Sequence, residues 1–155
     1  MNRAQLAALV VNAFPLEIQR QNTVFRDVPA SFWAAAAIQK AYQGGFMSGF
    51  PDQTFGPDNP LLRVQIWVTL VNGLNWENPS INLNPLGRFS DYTTLPRYAL
   101  QAAAVAVEKK LIVNYPDLTL LRPNQVATRA EVCASVYQAL MALQRVPTIS
   151  SHYIV

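Results

Sequence analysis

Apolar residues recur at helical spacing in three segments of the chain, and each segment begins at an arginine: Arg3, Arg63 and Arg129. The positions three, seven and eleven residues after each arginine are apolar in all three segments, which places them on one face of a helix. These positions are Leu6, Val10 and Phe14, then Ile66, Leu70 and Leu74, then Val132, Val136 and Leu140. The pattern predicts three amphipathic helices that bury equivalent faces.

The residues around each arginine are typical of a helix start. Thr128 and Glu131 have the spacing of a capping box, in which each side chain accepts a hydrogen bond from an amide of the first turn. Asn2 and Gln5 have the same spacing. Leu62 has no side-chain acceptor, so we expect Asn59 or the backbone to cap the second helix, or its first turn to fray.

A second pair of similar segments precedes the last two of these helices. Phe-Arg-Asp-Val at 25–28 corresponds to Phe-Ser-Asp-Tyr at 89–92, and Trp33 corresponds to Tyr98. Each of these aromatic residues opens an alanine-rich stretch. The composition predicts two short helices, one from Ala34 to Tyr42 and one from Ala99 to Val107.

Two similar loops follow the short helices. They read Gly-Phe-Pro-Asp-Gln-Thr-Phe at 49–55 and Asn-Tyr-Pro-Asp-Leu-Thr-Leu at 114–120. Gly49 and Asn114 occupy the same place, and both residue types tolerate positive φ, so we expect a left-handed helix exit there. The Pro-Asp pair that follows predicts a turn.

Composition narrows the possible functions. Of the 155 residues 51% are apolar and 14% are charged, and the net charge of +3 comes from scattered basic residues, which argues against nucleic-acid binding. No unbroken apolar segment is long enough to cross a bilayer, so we expect no membrane insertion. Cys133 and His152 are the only cysteine and histidine, which leaves no typical zinc-ligand set, and we expect neither a metal site nor a cofactor.

The carboxylates form no catalytic pattern. Glu17, Glu77, Glu108 and Glu131 fall on different predicted elements without a partner at matched spacing. The chain also has no nucleophile elbow and no phosphate-binding glycine loop. We therefore expect no catalytic residues and predict that the chain is not an enzyme.

The order of these motifs resembles the S-layer homology domain. The resemblance rests on the Phe-x-Asp openings, the aromatic-alanine helix starts, the loop at 49–55 and the Thr-Arg-Ala-Glu sequence at 128–131. It implies an all-α, pseudo-threefold domain with a central three-helix bundle and loop-rich prongs. The predicted divisions of this single domain, 1–155, are a partial repeat at 1–23, repeats at 24–76 and 88–144, and a tail at 145–155, whose style resembles cyanobacterial members.

Members of this family attach extracellular proteins to peptidoglycan-linked cell-wall polysaccharide, often one that carries an acidic pyruvate ketal, in grooves between the repeats. The resemblance thus implies an anchoring module at the cell envelope or extracellular surface, within a parent protein that has further domains. We expect no export signal in this chain. The alternative is a helical-repeat scaffold that binds a protein or peptide.

The resemblance also points to the three arginines as ligand contacts, because a guanidinium group can bind a carboxylate through two parallel hydrogen bonds. An equally weighted alternative is that each arginine pairs with Asp27 or Asp91 and only stabilises the repeat. Because the second loop departs from the family pattern, we expect a ligand to contact Trp33 with Arg63 or Arg3 rather than Tyr98 and the residues around it. The candidate ligand-binding residues are Arg3, Arg63, Arg129, Trp33, Tyr98, Asp27, Asp91, Phe50 and Tyr115.

Overall fold

The computed structural model describes residues 1–155 and contains five α-helices. They are α1 (Arg3–Ala13), α2 (Ala35–Gln43), α3 (Arg63–Gly73), α4 (Leu100–Glu108) and α5 (Arg129–Ala142). Short 3₁₀ turns lie at Asn84–Arg88, Tyr92–Thr94 and Arg97–Ala99. The predicted helices at the three arginines and at the two alanine-rich stretches are confirmed. None of the helices combines the length and the apolarity needed to cross a bilayer.

Helices α1 and α5 have the reciprocal caps that the sequence predicts. The Gln5 N–H donates to Asn2 Oδ1 at 2.9 Å, and the Asn2 N–H donates to Gln5 Oε1 at 3.1 Å. Thr128 and Glu131 make the same exchange, at 3.2 Å and 2.7 Å. Each exchange satisfies two backbone donors that a helix start would otherwise leave free.

Helices α1 and α3 also begin against the backbone of a distant loop. The first two amides of each helix donate to carbonyl oxygens in that loop. The pairs are Arg3 to Asn59 at 3.1 Å, Ala4 to Pro57 at 3.0 Å, Arg63 to Gln125 at 2.9 Å and Val64 to Pro123 at 3.0 Å. The backbone therefore helps to cap α3, as expected for a helix preceded by Leu62.

Three segments that lead into these helices form a closed ring of backbone hydrogen bonds. The Leu61 N–H donates to the Met1 carbonyl at 3.0 Å, and the Ala127 N–H donates to the Leu61 carbonyl at 2.7 Å. The Met1 amino group completes the ring by donating to the Ala127 carbonyl at 3.3 Å. The ring holds the starts of α1, α3 and α5 together.

Much of the apolar core comes from residues outside the helices. The predicted helical faces are buried, although Leu74 and Leu140 are only half-buried. Large side chains from the loops fill the space between the helices. Those with almost no exposure include Phe55, Leu61, Leu86, Phe89, Leu111, Ile112 and Leu121.

The prediction of an all-α, pseudo-threefold domain with a central three-helix bundle is wrong. Helices contain 42% of the residues, and the remainder forms turns, irregular segments and three isolated antiparallel bridges. Helix α5 packs against both α1 and α3, but α1 and α3 do not pack extensively against each other, so the bundle is not closed. Because loop residues supply so much of the core, the three helix faces do not need to bury one another.

The helix exits also differ from the prediction. Positive φ occurs at Gly45 (74°) and Lys110 (57°), just after α2 and α4, and not at Gly49 or Asn114. Gly49 is required for a different reason. A Cβ atom there would lie 2.3 Å from the ring of Phe25, so only glycine allows this close approach.

Candidate functional site

Asp27 and Asp91 hold the loops that lead into α3 and α5. Both oxygens of each carboxylate accept hydrogen bonds from loop amides. The bonds are Phe55 N–H to Asp27 Oδ1 at 2.8 Å, Gly56 N–H to Asp27 Oδ2 at 2.7 Å, Leu121 N–H to Asp91 Oδ1 at 2.8 Å and Arg122 N–H to Asp91 Oδ2 at 2.7 Å. Neither aspartate forms an ion pair with an arginine. This geometry favours a structural role for both.

Arg3 is almost buried, with 7% of its surface exposed. Its Nε donates to the Phe55 carbonyl at 2.8 Å, and its Nη2 donates to the Ser48 carbonyl at 2.7 Å. The guanidinium carbon lies 4.6 Å from the centre of the Phe55 ring and 5.0 Å from that of Phe50. Nη1 has no hydrogen-bond partner in the protein, so Arg3 retains donors for a ligand.

Arg63 is enclosed more completely, with 3% of its surface exposed. Its Nε donates to the Leu121 carbonyl at 2.9 Å, and its Nη2 donates to Asn114 Oδ1 at 2.6 Å. Its Nη1 forms an ion pair with Glu131. Every guanidinium nitrogen therefore has a protein partner, which favours the structural alternative for this arginine.

Arg129 and Trp33 are both exposed. Arg129 is exposed and its side chain makes no hydrogen bond or ion pair. Trp33 is 64% exposed and packs against its neighbour Phe32, with ring centres 5.8 Å apart. Trp33 does not line the cleft that contains Arg3. Trp33 therefore does not share that cleft with Arg3, and its pairing with Arg63 stays a prediction.

Tyr98, Tyr115 and Phe50 are the other exposed aromatic candidates. Tyr115 is 68% exposed and makes an edge contact with Tyr153 at 5.0 Å. Phe50 covers one side of Arg3. Tyr98, also 68% exposed, lines the same cleft as Arg3. The structure thus joins Arg3 to the aromatic residue that the sequence analysis ranked lower.

Two adjoining clefts, of about 150 Å³ and 330 Å³, form one groove along the exposed side of α3. They share Val68, Asn72 and Tyr98. Arg3 lies at one end and Glu77 at the other. We call this surface the Arg3–Tyr98 groove; its polar lining is Arg3, Ser48, Gln65, Thr69, Asn72, Glu77, Asn78, Tyr98 and Gln101.

Sequence analysis missed the polar residues that α3 contributes to this groove. Gln65, Thr69 and Asn72 are spaced so that they share one helical face. That spacing was available in the sequence, but an exposed polar face is also the ordinary solvent-facing side of a helix. Thr69 differs from a solvent-facing residue because it is only 5% exposed and its hydroxyl has no hydrogen-bond partner in the protein.

Electrostatics favour an anion at the Arg3 end of the groove. Burial lowers the pKa of Arg3, while the negative charge of Asp27 opposes that effect. The guanidinium remains cationic at neutral pH, because arginine keeps its proton in proteins. A desolvated cation with a free donor gains from a carboxylate or phosphate that reaches it.

The side chains of this groove suit the binding of a polar ligand. No cluster of His, Cys, Asp and Glu side chains is arranged to hold a metal ion. The groove instead offers one cation, several amide and hydroxyl groups and an exposed aromatic ring. Such a surface suits a ligand rich in hydroxyl groups that also carries an acidic group.

Comparison with known proteins identifies the family. Residues 24–65 and 88–133 match the S-layer homology domain. The chain belongs to the S-layer homology domain family, and the predicted resemblance is confirmed.

Individual relatives are distant and much longer than this chain. A surface-layer 125 kDa protein of Lysinibacillus sphaericus is 25% identical over 96% of this chain and 12% of its own length. A surface layer protein of Brevibacillus choshinensis is 32% identical over 52% of this chain and 8% of its own length. A cellulosome-anchoring protein of Acetivibrio thermocellus is 28% identical over 79% of this chain and 27% of its own length. The chain thus spans only a small part of each relative.

Proposed function

We propose that this chain is a non-catalytic module that anchors a larger protein to the cell envelope by binding acidic cell-wall polysaccharide in the Arg3–Tyr98 groove. The observation that carries the proposal is the unpartnered Nη1 of Arg3 in a groove that also presents the exposed ring of Tyr98. A sugar acid needs a cation for its carboxylate and a flat face for its ring. The groove provides both, since Arg3 and Tyr98 line the same cleft.

Family membership supports the cell-wall part of this proposal, since the similar proteins include surface-layer proteins and a cellulosome-anchoring protein. The expected partner is a peptidoglycan-linked polysaccharide at the cell envelope or extracellular surface. A pyruvate ketal suits the groove because its ketal carbon, which is bonded to two sugar oxygens, carries a carboxylate close to the sugar ring. The parent protein's other domains would be the cargo that this module holds.

The proposed roles follow from the contacts. Arg3 binds the acidic group, and Tyr98 stacks on the sugar ring. Thr69, Asn72 and Gln101 hydrogen-bond to its hydroxyl groups. The remaining candidates are Arg63, Asp27 and Asp91, which we assign to loop structure, Phe50, which covers Arg3, and Arg129, Trp33 and Tyr115, which lie outside this groove.

Co-sedimentation with purified cell-wall sacculi tests the proposal. We expect the chain to pellet with sacculi and to lose most of that binding when ketal-linked acid groups are removed by mild acid. Arg3→Ala should abolish binding, whereas Arg145→Ala, a change at an exposed arginine that forms no ion pair, should not. Arg3→Lys should bind weakly, because a lysine keeps the charge but lacks the planar fork.

Two further variants separate binding from stability. Tyr98→Ala removes an exposed ring, and Thr69→Val removes a hydroxyl that bonds to nothing in the protein, so both should unfold like the natural chain. We expect both to weaken sacculus binding by about fivefold to tenfold. Full binding by both folded variants would contradict the proposed groove.

A protein-binding scaffold is the second candidate function. A cleft of about 470 Å³ between α1 and α2 is lined by apolar residues that include Phe14, Leu16 and Ile18, and Ile18 is 78% exposed. A scaffold would ignore sacculi, would be unaffected by Arg3→Ala and would lose its protein partner on Ile18→Asp. The same co-sedimentation experiment therefore separates the two functions.

A further inference from the structure

A second cleft, of about 420 Å³, lies between α5, the end of α4 and the tail (145–155), and it shares no lining residue with the Arg3–Tyr98 groove. The tail is held over this cleft at both ends. The Tyr137 hydroxyl donates to the Pro147 carbonyl at 2.9 Å. The Asn114 N–H donates to the Tyr153 carbonyl at 2.9 Å. The volume lies in the range of small-ligand sites.

The charged side chains that line this tail cleft are both basic. They are Arg88 and Lys110, and no aspartate or glutamate side chain joins them. Neither takes part in an ion pair, since the two pairs in the chain are Arg63–Glu131 and Lys109–Glu108. Because the cleft has two basic side chains and no acidic one, its side chains favour an anionic ligand.

Gln138 gives an independent indication of a ligand. It lines the tail cleft from α5 and is only 8% exposed. Its side-chain amide makes no hydrogen bond within the protein, so it can bond to a polar ligand in the cleft.

We propose that the tail cleft binds a small ligand that carries an oxyanion, either a carboxylate or a phosphate, next to hydroxyl groups. Arg88 and Lys110 would bind the oxyanion. Gln138 and the hydroxyls of Ser150 and Ser151 would bind the neighbouring hydroxyl groups. This site is independent of the proposed polysaccharide groove, because most of its lining lies beyond residue 133, where the family match ends.

Nuclear magnetic resonance of the ¹⁵N-labelled full chain tests the site. The probes are D-glucuronate and inorganic phosphate, with neutral D-glucose as the control for each. We expect saturable shifts at the Gln138 side-chain amide and at the backbone amides of Ser150 and Ser151. Shifts with glucuronate alone identify a sugar acid as the ligand class, and shifts with phosphate alone identify a phosphate. Equal shifts with glucose, or none with either anion, would overturn the proposal.

A pair of neighbouring lysines provides the matched variants. Lys110→Gln should raise the Kd for the anion about tenfold. Lys109→Gln, the same charge change on a residue that does not line the cleft, should leave the Kd within about twofold. Equal weakening by both variants would mean a general charge effect and would contradict the site. If Lys110→Gln does not fold, Arg88→Gln, at an exposed position, replaces it with the same expectation.

Discussion

Glu131 binds Arg63 with one carboxylate oxygen and caps its own helix with the other. Oε1 pairs with Arg63 Nη1, and Oε2 accepts the Thr128 N–H at 2.7 Å. The position on α3 that corresponds to Glu131 is Gln65, and the arginine that corresponds to Arg63 is Arg3. Gln65 also caps its helix, but an amide cannot neutralise a guanidinium group, so Arg3 remains unpaired.

The first prediction concerns stability. Glu131→Gln keeps a capping acceptor but leaves the nearly buried Arg63 without its counter-charge. We expect the free energy of unfolding to fall by about 1–3 kcal/mol, measured by urea denaturation. Glu17→Gln is the control, because Glu17 is exposed and forms no ion pair. If Glu131→Gln and Glu17→Gln have the same free energy of unfolding, the Arg63–Glu131 ion pair contributes nothing to stability.

The second prediction concerns pH. Burial acts to raise the pKa of Glu131, but the Thr128 amide and the charge of Arg63 outweigh it, so that the pKa lies below its ordinary value. A carboxylate whose pKa is lower in the folded state stabilises the protein at pH values above its unfolded-state pKa, which is about 4.3 for glutamate. That stabilisation is lost as the pH falls through the folded-state pKa. We expect the urea midpoint to decrease below about pH 4.5, and Glu131→Gln to flatten that decrease. An identical pH profile in the variant would contradict this account.

The third prediction tests whether Arg3 is free to bind a ligand because Gln65 cannot form an ion pair with it. Gln65→Glu should create on α3 the ion pair that Arg63 has with Glu131. We expect this nearly isosteric change to leave the chain equally or more stable, while sacculus binding falls about tenfold because the new carboxylate competes with the ligand. Gln101→Glu, which adds a charge further along the groove, should have a smaller effect. Undiminished binding by Gln65→Glu would argue against Arg3 as the acid contact.

The fourth prediction concerns the packing of α3. Alanine normally stabilises a helix relative to glycine, by up to about 1 kcal/mol. At Gly73 the added Cβ would lie 2.1 Å from the Phe46 ring, so we expect Gly73→Ala to lower the free energy of unfolding by about 1–3 kcal/mol instead. Gly87→Ala has no atom within 4 Å of the new Cβ and should be neutral. Stabilisation by Gly73→Ala would mean that Phe46 moves freely.

Local features of the fold could be predicted from the sequence, because the helix caps involve residues only three positions apart. The partners of the arginines could not. Arg3 bonds to a carbonyl 45 residues away, and Arg63 pairs with a carboxylate 68 residues away. The motifs contain the difference between Glu131 and Gln65, but they do not show which helix packs beside which arginine, so they could not identify the arginine that stays unpaired.

The alignment of the two similar loops is a second feature that the sequence could not predict in full. Matching the prolines at 51 and 116 pairs Phe55 with Leu120. The aspartate contacts instead pair Phe55 with Leu121, because Asp27 and Asp91 accept from these two amides. The later loop therefore contains one extra residue. The sequence does not show which of the two leucines corresponds to Phe55, because Leu120 and Leu121 are the same residue type. In the structure only Leu121 is fully buried.

The closed ring of Met1, Leu61 and Ala127 has a consequence for cooperativity. In a linear array of repeats, an end unit can melt while its neighbours stay folded. Here each of the three segments shares a hydrogen bond with both others, so freeing one segment breaks two of the three bonds. Thermal melting should therefore proceed in a single step, without a half-folded species that retains only one part of the chain.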